Sequence, residues 1–150
     1  MTAFVTAAAG FLLAVLWFDL MFDVQVLRHR GADLPEGTLA SIAAYYRRVT
    51  TAARPMNRLI AAVMLATLAS IVVQLARGDA PRWAGALSLA LTTSAILLAA
   101  AHTVPSAVRL GARSDAVERQ ARLARSILRD HLLCVVAVAA VLFVQLAFAR

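Results

Sequence analysis

The chain has 150 residues, of which 62% are hydrophobic, and it carries a formal net charge of +7. This hydrophobic share exceeds the roughly half that is usual in soluble domains, and it argues against a soluble globular protein. Every basic residue other than histidine is Arg, and these residues flank apolar runs, which argues against nucleic-acid binding. The lone cysteine, Cys134, excludes an intramolecular disulfide and any CxxC site.

Four long apolar runs dominate the sequence. They contain no Asp, Glu, Arg or His and cover residues 2–18, 59–76, 83–101 and 132–149. An apolar stretch of about 18 or more residues predicts a transmembrane helix. We therefore predict an all-α, integral membrane four-helix antiparallel bundle, with a single domain over residues 1–150 and spans at about 3–27, 56–76, 83–109 and 131–149. The first run lacks a positively charged leader and is predicted to be a retained span.

The Arg residues are divided unevenly between the two ends of the spans. Twelve lie in or beside the connections that join spans one and two and spans three and four: Arg28, Arg30, Arg47, Arg48, Arg54, Arg58, Arg109, Arg113, Arg119, Arg122, Arg125 and Arg129. The other side has Arg77, Arg82 and Arg150. The positive-inside rule then predicts cytoplasmic Arg-rich connections, with the N- and C-termini outside. We expect the membrane to be a bacterial inner membrane.

Both Arg-rich connections have the periodicity of helices. In the first, Leu39, Ile42, Tyr46 and Val49 recur at steps of three and four residues. In the second, an apolar stripe runs beside an Arg stripe that consists of Arg119, Arg122, Arg125 and Arg129. We expect the helices to extend past the membrane into the cytoplasm. The Arg stripe can meet lipid headgroups or hold an anionic cofactor.

The connection between spans two and three is short. Gly78 suits the C-terminus of the second span, so these two spans are predicted to form a tight antiparallel pair. Gln74 and Gln145 lie near the same edge of the membrane. Their side chains can bond to water or to a neighbouring helix.

Polar residues from all four spans fall at one depth. We estimate depth from a helix rise of about 1.5 Å per residue, counted from the span ends that lie away from the Arg-rich connections. On this scale the depth is roughly 24 Å for Asp19, about 30 Å for Asp23, about 28 Å for Asn57 and His102, and about 27 Å for His131. The apolar core of a bilayer is about 30 Å thick. The sequence therefore predicts a single polar layer at the Arg-rich edge of the core.

The two aspartates of the first span are candidate catalytic residues. Asp19 and Asp23 are one helical turn apart and share a face. A charged group in a membrane helix costs several kcal/mol unless it faces the bundle interior, water or a partner. We predict Arg58 as the partner of Asp19. Asp19, Asp23 and Arg58 are together the predicted catalytic set, with an aspartate transferring a proton.

Two histidines are candidate ligands. His102 and His131, on facing helices, can hold a haem iron axially. With a carboxylate, they can instead bind non-haem iron, copper or zinc. The same groups can relay protons, bind the polar head of a lipid-soluble substrate, or only hydrogen-bond within a packed core. His102, His131 and Arg129 are thus predicted cofactor-binding residues, and the two histidines are also predicted metal ligands.

Three short segments carry a resemblance to a known membrane family. They are Arg54-Pro55-Met56-Asn57-Arg58-Leu59 opening span two, Thr103-Val104-Pro105 closing span three, and Arg129-Asp130-His131-Leu132 opening span four. With these segments, two helical hairpins and polar residues at one edge, the chain resembles the four-span membrane proteins grouped with anthrone oxygenases. The resemblance implies a membrane oxygenase that acts on a hydrophobic small molecule.

Three functions stay open at this point. The first is a membrane oxidoreductase or oxygenase with haem or a transition metal in the polar layer. The second is a small ion-coupled transporter or channel in which Asp19 and Asp23 bind the coupling ion. The third is a non-catalytic structural or assembly subunit whose polar layer only fixes helix packing. The expected partners are membrane lipid, a hydrophobic small molecule and further copies of the chain in a homo-oligomer, but no nucleic acid.

Overall fold

The computed structural model describes residues 1–29, 31 and 33–149, without the side chain of Arg54. Arg30, Arg150 and the Arg54 side chain, which entered the Arg count above, lie outside this description. The α-helices are α1 (Thr2–Asp23), α2 (Glu36–Arg47), α3 (Arg54–Arg77), α4 (Arg82–Leu98), α5 (Val104–Ala112) and α6 (Val117–Phe148). The described residues contain no strand, as the sequence predicts.

Four helical stretches are long and apolar enough to cross a membrane. They are Thr2–Arg28, Pro55–Arg77, Arg82–Ala112 and Val117–Phe148. Helix α1 packs against α3 and α6, and α4 packs against the same two helices, so the four form a closed ring. The predicted all-α membrane four-helix bundle is confirmed. Below, the Arg-rich end is the end at which the first span joins α2 and the third span joins α6.

A π-helical turn lies shortly before a proline in the first Arg-rich connection and again in span three. Arg48–Ala52 precedes Pro55, and Ala99–Thr103 precedes Pro105. Proline donates no backbone N–H, and its ring clashes with the carbonyl four residues earlier, which disfavours the regular α-helical hydrogen-bond ladder. The helix continues past Pro105 to Ala112, three residues beyond the predicted end of span three at residue 109.

The helices do extend past the polar layer and form a packed headpiece. The headpiece consists of α2, α5 and residues 117–130 of α6. Its buried core is Val26, Leu34, Leu39, Ile42, Ala43, Tyr46, Ala107, Leu110, Ala121, Ala124, Ile127 and Leu128. The periodic stripe Leu39, Ile42 and Tyr46 is therefore the buried face of α2, as its spacing indicates.

Close backbone approach and ion pairs hold the headpiece together. A Cβ added at Gly111 of α5 would lie 2.7 Å from the backbone nitrogen of Arg47, so the contact with α2 leaves no room for a side chain. Nη1 of Arg113 lies 2.8 Å from Oε1 of Glu36 and joins the α5–α6 turn to the start of α2. Arg125 donates to the backbone carbonyls of His29 and Gly31. Part of the Arg stripe thus stabilises the headpiece itself.

Glutamines connect the helices at the opposite end of the bundle. Nε2 of Gln74 donates to Oε1 of Gln145 at 3.0 Å and to Oγ1 of Thr2 at 3.0 Å. Nε2 of Gln145 donates to Oγ of Ser88 at 3.2 Å. Gly78 ends α3 in the left-handed region, with φ of 72°, as its position in the sequence predicts. This end is bound by interhelical hydrogen bonds across all four spans.

Candidate functional site

Asp23 links three helices at the polar layer. Its side chain is completely buried. Oδ1 accepts a hydrogen bond from the hydroxyl of Tyr46 at 2.6 Å, and Oδ2 lies 2.6 Å from Nδ1 of His131. A carboxylate accepts only, so Nδ1 of His131 carries the hydrogen of this bond. One carboxylate from α1 is therefore held by α2 and α6 at once.

Asp19 lies one turn earlier and has a more open environment. The hydroxyl of Tyr45 donates to its Oδ1 at 2.7 Å. Its Oδ2 lies 3.9 Å from Nε2 of His131, which is beyond hydrogen-bond distance. The ring of Tyr45 stacks on Phe22, with 4.0 Å between ring centroids, and this fixes the hydroxyl at the carboxylate. Asp19 thus keeps one oxygen that accepts no hydrogen bond from a described residue.

The predicted pairing of Arg58 with Asp19 is wrong. The Arg58 side chain is exposed, and it forms no ion pair within the described part of the chain. Helix α2 packs over the end of α1 and brings Tyr45 to the carboxylate instead. On α3, Asn57 turns back to donate to the carbonyl of Thr50 at 3.1 Å, which ties the start of the helix to the preceding π-turn.

A second carboxylate centre lies beside the first. Asp130 of α6 is completely buried. Its Oδ2 lies 2.5 Å from Nδ1 of His102 and accepts from Oγ1 of Thr103 at 3.2 Å. Nη2 of Arg129 donates to its Oδ1 at 3.2 Å. The π-turn of span three thereby presents two consecutive donors to α6.

The two histidines pair with different carboxylates. His131 is held by Asp23, and His102, whose side chain is 45% exposed, by Asp130. Among the described residues, no group of three or more His, Cys, Asp or Glu side chains is arranged to hold a metal ion. Arg129 forms an ion pair with Asp130. The geometry gives no support to the predicted haem or metal site.

The sequence reasoning overlooked two hydroxyl donors of the site, Tyr45 and Tyr46. Burial, and then the charge of Asp19, raise the pKa of Tyr45 above its ordinary value. Burial, and then the charge of Asp23, do the same to the pKa of Tyr46. Both phenols therefore stay protonated and act as donors. Tyr46 falls in the predicted buried stripe of α2. Because a buried tyrosine hydroxyl usually has a polar partner, the sequence could have indicated that Tyr46 donates to a residue of the polar layer.

A cavity of about 600 Å³ lies between the spans and reaches the polar layer. Asp19, Tyr45, Asn57 and His131 line its polar end, and most of the remaining wall is apolar. Residues 10–22 of α1 and 55–66 of α3 include no side chain that is described as buried. The two helices are therefore loosely packed along the cavity, in contrast to the glutamine-bonded opposite end.

A protein-family model matches residues 1–149 of the chain. The matching family is the SHR3 chaperone family, described as ER membrane protein SH3. The chain belongs to this family. Comparison with curated proteins and with solved structures gives no match.

Family membership corrects three predictions. The resemblance to anthrone oxygenases is wrong, because the matching family is one of chaperones. The oxidoreductase or oxygenase function is wrong for the same reason, and the family favours the assembly subunit among the three alternatives. The bacterial inner membrane is also wrong, because the family is described as an ER membrane protein. The catalytic and ligand roles assigned to the polar-layer residues remain predictions.

Proposed function

We propose that the chain is a non-catalytic chaperone of the endoplasmic reticulum membrane that assists the folding or assembly of other integral membrane proteins. The observation that carries this proposal is membership in the SHR3 chaperone family over residues 1–149. Chaperone action requires binding surfaces and a stable scaffold. It does not require a reaction centre in the polar layer.

The hydrogen bonds of the layer support a structural role. Asp23 and Asp130 are the two completely buried carboxylates among the described residues. Each accepts hydrogen bonds from at least two side chains of other helices. A charged group at this depth costs several kcal/mol unless it is partnered, so these donors offset the cost of burial. The layer then fixes the headpiece on the ends of the spans.

The surface of the spans supports an encounter with clients inside the bilayer. Large apolar side chains point outward from all four spans, including Trp17, Leu65, Leu97 and Val136 at 67%, 61%, 61% and 69% exposure. The headpiece is built on the ends of these spans. Association of membrane helices depends in part on van der Waals packing, and these side chains offer an apolar surface against which a client helix can pack. Lipid covers the same surface when no client is bound, and a homo-oligomer remains a prediction.

A folding assay in vesicles tests the proposal. Polytopic membrane proteins are synthesised in vitro in the presence of vesicles that contain increasing amounts of the purified chain. The fraction that reaches a protease-resistant fold is measured at each ratio. We expect this fraction to rise and then to saturate near one chain per client, since a chaperone without catalysis acts by binding.

The control is a set of vesicles with an equal amount of an unrelated four-span protein. A rise of the same size in these vesicles would show a general effect of membrane protein on the bilayer, and it would overturn the proposal. Absence of any rise across a panel of polytopic proteins would overturn it as well.

A further inference from the structure

The cavity among the spans is too large to be a packing defect. Protein interiors contain few voids larger than a water molecule, whereas this cavity has a volume of about 600 Å³. Volumes of roughly 300–1,000 Å³ are typical of sites for small molecules. Exposed side chains such as Phe18 and Met56 belong to its wall, so the cavity opens at the surface of the bundle.

The cavity is elongated along the bundle axis and mostly apolar. On α1 its lining extends from Ala9 to Asp19, and on α6 from His131 to Val141. Each of these stretches covers roughly 15 Å of helix. The apolar part of the wall comes from small and aliphatic side chains such as Ala95 and Met64. This shape fits a single aliphatic chain aligned with the helices.

The polar end of the cavity carries unused acceptors. Oδ2 of Asp19 and Oδ1 of Asn57 accept no hydrogen bond from any described residue, and both side chains line the cavity. An ionised carboxylate has about four acceptor positions, and Tyr45 occupies one of those on Asp19. A ligand head at this end must therefore donate hydrogen bonds.

The charge at this end favours a cation. Asp19 lines the cavity and Asp23 lies directly behind it, while His131 is the cationisable group that contacts both. No Arg with a described side chain lines the cavity. Arg58 is exposed, and Arg129 is paired with Asp130. An anionic head would meet an uncompensated carboxylate here, which is costly in a medium of low dielectric constant.

We propose that the cavity binds a single-chain amphiphile with a primary ammonium head. The ammonium donates to Oδ2 of Asp19 and has further donors for Oδ1 of Asn57, since it carries three N–H groups. The aliphatic chain lies between α1, α3, α4 and α6. This proposal goes beyond the chaperone role, because the ligand is a small molecule and not a client protein.

Binding of dodecylamine to the full-length chain tests the proposal. The chain is reconstituted in phosphatidylcholine nanodiscs, and radiolabelled dodecylamine is measured by equilibrium dialysis against empty nanodiscs. We expect saturable binding of one molecule per chain above the empty-nanodisc background. Unlabelled dodecylamine should compete more strongly than dodecan-1-ol, and dodecanoate should not compete. No client is present, so failure of this test leaves the folding assay unaffected.

Two variants test separately the contact of the ammonium head with Asp19 and the contact of the aliphatic chain with the cavity wall. Asp19→Asn should weaken dodecylamine binding by about tenfold or more, because a charge-assisted hydrogen bond is lost. Ala95 lines the cavity, so Ala95→Phe should fill the cavity and abolish binding. Ala90 is exposed on α4 and does not line the cavity, so Ala90→Phe is the control and should leave binding intact. Equal competition by the three heads would overturn the proposal. So would binding that neither Asp19→Asn nor Ala95→Phe reduces, or no binding above empty nanodiscs.

Discussion

Oδ2 of Asp23 on the first span lies 2.6 Å from Nδ1 of His131 on the fourth. The two residues are 108 positions apart in the chain, and both are buried. Tyr46 donates to the other oxygen of the same carboxylate, so the hydrogen bonds of Asp23 join two spans to the headpiece.

Loss of the Asp23 carboxylate should destabilise the bundle. Asp23→Ala leaves His131 and Tyr46 without their acceptor in a buried place. We expect the free energy of unfolding to fall by about 3 kcal/mol, as when one partner of a buried pair is removed. The measurement is unfolding of the purified chain in bicelles by titration with SDS, followed by circular dichroism.

His102→Ala is the matched comparison for that experiment. The His102 side chain is 45% exposed. When its imidazole is removed, Asp130 keeps Thr103 and Arg129 as hydrogen-bond donors. The loss should therefore be smaller, about 1 kcal/mol. An equal or larger loss in His102→Ala would show that Asp23 is not the main connection of the layer.

The hydroxyl of Tyr46 should contribute more to stability than that of Tyr45. Tyr46 is 2% exposed and donates to a completely buried carboxylate, whereas Asp19 faces the cavity. We expect Tyr46→Phe to cost about 2 kcal/mol and Tyr45→Phe about 1 kcal/mol. The same SDS titration measures both, and the reverse order would contradict the assigned geometry.

The two tyrosines, which are the only ones in the chain, should resist ionisation in the folded protein. Burial, followed by neighbouring carboxylate charge, raises the pKa of each above the ordinary 10.0. Their contribution to stability is complete below pH 10 and is lost as the pH rises further, since the unfolded chain then releases protons that the folded chain retains. Phenolate absorbance should therefore appear together with unfolding. A phenolate signal near pH 10 from folded protein would contradict this.

Gly111→Ala should strain the headpiece. The added Cβ would lie 2.7 Å from the backbone nitrogen of Arg47, so α2 and α5 must separate. We expect a loss of about 1–3 kcal/mol, which is typical of overpacking. Gly37→Ala is the control, because a Cβ there has no neighbour within 4 Å. Similar stabilities of the two variants would show that the α2–α5 contact is looser than described.

Gln74 and Gln145 should be coupled across the bundle. Either single replacement by Leu leaves the other amide without this buried partner, and we expect each to cost about 1 kcal/mol. The double variant should cost less than the sum, because both halves of the hydrogen bond are then removed. Comparison of the four SDS titrations gives the coupling energy. Additive losses would argue against the Gln74–Gln145 bond.

The sequence predicted the spans and the depth of the polar layer because both depend on local composition. The apolar runs are long enough to cross the apolar core of a bilayer as helices. The helical rise per residue then places Asp19, Asp23, His102 and His131 near one plane. The structure brings Asp19, Asp23 and His131 into contact distance.

The partners within the layer could not be predicted in the same way. They depend on how α2 packs across the end of α1, which follows from the burial of Leu39 and Ile42 in the headpiece core. That packing places Tyr45 beside Asp19, where charge matching had suggested Arg58. The prediction of a haem or metal site held by His102 and His131 lacks support for a related reason. Two histidines at one depth are compatible with a shared metal, but their pairing with separate carboxylates depends on tertiary structure.

The most direct measurement is the fraction of aggregated integral membrane proteins in cells of the source organism that lack this chain. We predict that this fraction rises on deletion of the gene and returns to normal with the wild-type chain. His102→Gln should restore it equally well, since His102 has no chemical role in a non-catalytic chaperone. An unchanged aggregated fraction on deletion, or rescue that requires the imidazole of His102 in a variant that still folds, would contradict the account.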